Sequence, residues 1–135
     1  MASGAEGAAS GACLCGGVRY RVYGALRGVI FCHCSRCRRT HGHVAAYTAC
    51  ARDDLELEAA GTLRWFEQDG RRRGFCTACG ASLFWDRPGS QTVSVSAGTL
   101  DAPTGLRPLR HIFVESAGDY YEIADDLPQH AASEG

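Results

Sequence analysis

The sequence predicts a small all-β domain. Three observations point there. Short apolar runs recur about every ten residues with turn signals between them. Glycine stands at 17 residues against 4 prolines, which favours turns and short strands. No segment carries a long helical stripe. A chain of 135 residues that is 45% hydrophobic holds one core of modest size.

The elements follow in chain order. Residues 1–11 read as a flexible tail, residues 12–130 as a single domain, and residues 131–135 as a second tail. Val18, Tyr20 and Val22 alternate with Arg19, Arg21 and Tyr23, the period of a half-buried strand. Gly28 to Phe31 is a short apolar run. Ser35 to Gly42 is polar and basic and reads as a turn or one helical turn. Val44 to Cys50 is a strand rich in small residues, and Asp53-Asp54 starts a turn before Leu55 and Leu57. Leu63 to Phe66 and Arg71 to Phe75 flank Asp69-Gly70, a strong hairpin signal. Ser82 to Trp85, Thr92 to Ala97 and His111 to Val114 complete the set of strands.

Composition limits the function. Net charge is -1, so no global field announces a nucleic-acid or membrane partner. No apolar run approaches the ~20 residues of a membrane span. The start shows no basic segment followed by an apolar one, so a reducing cytoplasm is the expected location. All 14 basic residues are arginine, which excludes a Schiff-base lysine.

The chemistry lies in the cysteines. Seven of eight fall in three knots: Cys13-Leu14-Cys15-Gly16, Cys32-His33-Cys34-Ser35-Arg36-Cys37 and Cys76-Thr77-Ala78-Cys79-Gly80. In an extended segment Cys13 and Cys15 point the same way, and Cys76-x-x-Cys79-Gly80 has the form of a zinc knuckle. Those four thiolates would complete a tetrahedral, structural zinc site; the alternative is that one pair is a redox dithiol. Cys32 and Cys34 share a face, and Cys37 comes round a short turn. Three donors leave an open position, the pattern of a catalytic zinc. The rival is a second closed site completed by Cys50, His33, His41 or His43.

The three knots in order resemble the glutathione-dependent formaldehyde-activating enzyme family, which also contains centromere protein V. The likeness spans residues ~10–130 and extends to Gly98-Thr99-Leu100-Asp101, His111-Ile112-Phe113-Val114 and Asp125-Asp126-Leu127-Pro128. It implies a small β-tent of antiparallel sheets pinned by zinc. It also implies a structural metal on Cys13, Cys15, Cys76 and Cys79 and a reactive one on Cys32, Cys34 and Cys37. Many relatives carry Lys-Ala and Pro-Trp where this chain has Ala117-Gly118-Asp119-Tyr120, so a substrate preference of its own is expected.

The function expected is a two-zinc carbon–sulfur lyase-type enzyme. A small thiol, glutathione or another, would add to an aldehyde such as formaldehyde. Arg36 and Arg38 flank the triplet and are the candidates to hold an acidic thiol, with Arg39 and Arg71 to Arg73 as further cations. His33, His41 and His111 are candidate bases by residue type only. Two other classes stay open: a non-catalytic zinc module binding nucleic acid or protein, and a thiol-redox or metal sensor. Near-neutral charge argues against a strong nucleic-acid surface.

Overall fold

The computed structural model describes residues 8–132. Ten strands account for most of its regular secondary structure. In chain order they are β1 (Ala9–Ala12), β2 (Arg19–Val22), β3 (Val29–Cys32), β4 (Ala45–Ala51) and β5 (Leu55–Ala59). The second half supplies β6 (Leu63–Gln68), β7 (Arg71–Cys76), β8 (Ser82–Asp86), β9 (Thr92–Ser96) and β10 (Pro108–Ile112). One α-helix, α1 (Ser35–His41), follows β3. A three-stranded sheet runs β1-β2-β5 and a seven-stranded sheet runs β10-β3-β4-β9-β8-β7-β6.

The alternation read in the sequence is real in β2. Tyr20 and Val22 are fully buried while Arg19 is exposed. The Asp69-Gly70 turn also forms: both residues take positive φ, 55° and 77°, and join Gln68 directly to Arg71. That is the twist a two-residue hairpin needs. The larger core draws on both sheets, with Tyr20, Val22, Leu83, Phe84 and Val95 at its centre. A smaller core joins Ile30, Cys32, Cys37, Ala45, Tyr47 and Ile112.

Some expectations are corrected. Ala9–Ala12 form a strand paired with β2, so the chain is ordered before residue 12; residues 1–7 and 133–135 lie outside the described residues. The segment after Cys34 is a helix of seven residues, longer than the single turn expected. The Cys34 sulfur caps its start by accepting from the Cys37 amide at 3.3 Å, and Gly42 ends it at φ 77°. The sheets are not wholly antiparallel, because β10 runs parallel to β3. The last strand ends at Ile112. Phe113 turns into the left-handed region at φ 56°, and Val114–Ser116 form a 3-10 turn. The chain beyond is tied back: the His111 amide donates to the Pro128 carbonyl and the His130 amide to the His111 carbonyl.

Candidate metal centres and the adjoining cleft

Two tight loops bring Cys13, Cys15, Cys76 and Cys79 together, with their sulfurs all within 4.8 Å of one another. Cys13–Cys15 and Cys15–Cys76 stand at 3.7 Å. A tetrahedron with Zn–S near 2.3 Å has edges of about 3.8 Å, so the donor set fits zinc. The loops are built alike. Gly16 at φ 82° and Gly80 at φ 80° turn the chain, and their amides donate to the carbonyls of Cys13 and Cys76. A side chain at either glycine meets nothing within 4 Å, so it is the backbone twist that calls for glycine there.

Neighbouring donors prepare these sulfurs for negative charge. The Val18 and Gly17 amides donate to Cys13 and Cys15 at 3.2 and 3.4 Å. The Thr62 hydroxyl at 3.2 Å, aided by the Cys79 and Ala78 amides, pulls the Cys76 thiol down to about 6. The Ala81 amide lowers Cys79. Cys15 goes the other way. The Gly17 amide lowers it, but Cys76 and Cys13 together push it up to about 11. Four thiolates at this spacing repel one another unless a cation lies among them.

The second group is Cys32 at the end of β3, Cys34 at the helix cap and Cys37 within α1, again with sulfurs inside 4.8 Å. Here Cys34 is the thiol pulled down. Hydrogen bonds from Cys32 and Cys37 hold its thiol far below the ordinary value and raise Cys32 in turn. A metal ion would replace those two shared protons, so this set also fits zinc.

The four residues named as possible closers of the triplet all lie elsewhere. Cys50 is buried in the larger core, and burial raises its thiol to about 11. His41 Nε2 stands 2.8 Å from the Tyr47 hydroxyl, and His43 Nδ1 stands 2.7 Å from the Tyr120 hydroxyl. His33 is 2% exposed and points into a chain of hydrogen bonds. The ionised Asp125, lowered chiefly by His111, only accepts, so His111 Nε2–H donates to it at 2.9 Å. His111 Nδ1 stands 2.8 Å from His33 Nε2, and His33 Nδ1 stands 2.6 Å from the Tyr121 hydroxyl. Burial lowers the pKa of His33, in keeping with a neutral ring.

The expected cations separate. Arg36 is exposed and pairs with Asp69 at 2.5 Å. Arg38 has a buried Nε with no partner among the described residues and lies by Gly118. Arg39 is exposed. Arg72 leaves the site altogether: it joins Arg52 on the buried carboxylate of Asp86 and lies 3.9 Å over the Trp65 ring. Arg73, named in the sequence only as one of the run Arg71 to Arg73, is the cation that reaches the triplet. Its guanidinium lies 3.8 and 3.9 Å from the Cys37 sulfur. It also lines a small open cleft with Arg36, Phe66, Gln68, Arg71 and Trp85. Strand alternation is the signal that could have found it, because it puts Arg71 and Arg73 on the face opposite Arg72.

Known proteins bear on these two groups. A model of the glutathione-dependent formaldehyde-activating enzyme family matches residues 8–116. Among solved structures, the chain is similar to a crystal structure of a Rhodobacter sphaeroides protein. The TM-score is 0.58 at 26% identity, over 73% of this chain and 97% of that one. No curated protein matches the chain significantly.

Proposed function

Because the chain belongs to the glutathione-dependent formaldehyde-activating enzyme family, we propose that it is a zinc-dependent enzyme of the carbon–sulfur lyase type. It adds a small thiol, glutathione or a similar one, to an aldehyde such as formaldehyde. The observation that carries this reading is unequal donor number: four sulfurs in one group, three in the other, and no fourth protein donor beside the three among the described residues. In this reading Cys13, Cys15, Cys76 and Cys79 hold a structural zinc. Cys32, Cys34 and Cys37 hold a second zinc with room for an outside ligand.

Zinc bound by the triplet supplies a position that favours thiolate over thiol. The protein's own residues do the rest. The Arg73 guanidinium beside Cys37 offsets part of the triplet's negative charge. Arg36 stands at the edge of the same cleft, while Arg38 faces the segment after Ser116. In the net reaction the S–H bond breaks and a C–S bond forms at the carbonyl carbon. The proton ends on the former carbonyl oxygen, and no electrons are lost or gained. Uncatalysed thiol addition is already easy, so holding the two reactants together supplies a sufficient gain.

The test is zinc content and turnover in wild type and Cys34→Ser. Wild type is expected to hold two zinc ions and to speed formaldehyde loss in the presence of glutathione. The variant is expected to hold one, stay folded, and lose at least ~100-fold in rate, the scale of removing an essential catalytic group. Two zinc ions in wild type without thiol-dependent turnover would favour the non-catalytic module.

A further inference from the structure

The cleft beside Cys37 has a composition that neither metal group requires. Sheet register builds it. Phe66 and Trp85 both stand opposite Arg73, and Gln68 stands opposite Arg71. Alternation sends Trp65, Glu67 and Arg72 to the other face. The cleft is therefore lined by three arginines and two aromatic rings, with no carboxylate among its lining residues. Asp69, the nearest acid at the hairpin tip, is engaged with Arg36. Arg71 donates to the Asp69 carbonyl at 3.1 Å, which leaves most of its N–H groups for another acceptor. Trp85 also packs against the small core that contains Cys32 and Cys37, so the cleft and the triplet share a wall.

We propose that this cleft is the subsite for a carboxylate of the thiol substrate. Arg71 and Arg73 are its donors, and Phe66 and Trp85 flank the chain that links carboxylate to sulfur. The inference rests on the thiol–aldehyde reading for the identity of its ligand, and it moves the main anion contact from α1 to β7. Arg73 serves both ends, because it touches Cys37 and lines the cleft. The protein then discriminates among thiols by an acidic group remote from sulfur, through paired, planar N–H donors that suit a carboxylate.

S-methylglutathione tests this without turnover, since its sulfur is blocked and its carboxylates remain. The chain has two tryptophans, so Trp65→Phe leaves Trp85 as the reporter. Saturable quenching of Trp85 is expected, weakened by salt. Arg71→Gln on that background should raise Kd about threefold to fivefold, the scale of one partly exposed ionic contact, and Arg71→Lys should recover part of the loss. No saturable response, or equal Kd values in Trp65→Phe with and without Arg71→Gln, overturns the proposal. In the zinc-loaded protein, kcat/KM for 3-mercaptopropionate relative to 2-mercaptoethanol should fall toward one in Arg71→Gln, through KM. A ratio that does not move also overturns it. Absence of turnover with every thiol sinks the thiol–aldehyde reading instead, and the binding experiment then still decides whether the cleft takes carboxylates.

Discussion

The two cysteine groups use the same donor on different scaffolds. Cys15 reaches Cys76 across 61 positions of sequence, joining the start of the domain to the end of β7. Cys32, Cys34 and Cys37 come from one stretch of chain, shaped by a strand end and a helix cap. A metal in the first group closes a long loop, and its binding free energy is folding free energy. A metal in the second cross-links almost nothing that the β3–α1 connection does not already hold. Polar surroundings differ as well. Backbone amides and one threonine serve the first group, whereas the second has the Arg73 guanidinium beside Cys37 and His41 bonded to Tyr47 of the small core it shares. Loop closure thus suits the first group to the structural role proposed for it, and the guanidinium beside Cys37 suits the second to the reactive role proposed for it.

The sharpest way to break this contrast is to remove one sulfur from each group. Cys76→Ser should leave the chain unfolded. Structural zinc contributes about 10 kcal/mol or more, comparable with the roughly 5–15 kcal/mol stability of a whole domain. Cys34→Ser should keep a cooperative thermal transition. Far-UV circular dichroism during heating reads both, and a folded Cys76→Ser beside an unfolded Cys34→Ser would reverse the assignment.

A smaller effect concerns pH. Burial lowers the pKa of His41, with Arg73 adding to it, so the unfolded chain takes up a proton first as pH falls. Its stabilising share is whole above about 6.5 and declines below that value. Between about pH 7.5 and 5.5, wild type should lose more stability than His41→Gln, by about 1 kcal/mol or less. Urea midpoints at the two pH values measure it. Some slope should persist in the variant, because His33 shifts in the same direction. Equal slopes in the two proteins would remove His41 from the contrast.

The smallest effect is expected at Leu14. It lies between two cysteines of the first group yet is 88% exposed. Leu14→Ser should change stability by no more than about 0.5 kcal/mol. A larger loss in chemical denaturation would mean that the knuckle depends on more than its sulfurs and backbone.

The sequence by itself determined what short-range geometry controls. Cysteine spacing separated three knots, because sulfurs two or three residues apart can face one point; that two of the knots share a site is a tertiary fact, with Cys15 meeting Cys76 across 61 positions. Alternation placed Tyr20 and Val22 inside, and Asp69-Gly70 fixed a hairpin through two positive φ angles. Helix α1 was under-read because its start is capped by a cysteine, which sequence patterns do not count as a capping residue. Tertiary structure alone decided which strands became neighbours. It laid β10 parallel to β3, and that brought His111 to His33 across 78 positions. Through β7 it set Arg73 against Cys37, 36 positions away. Such partners depend on how whole sheets share one core, a collective choice that no local period encodes.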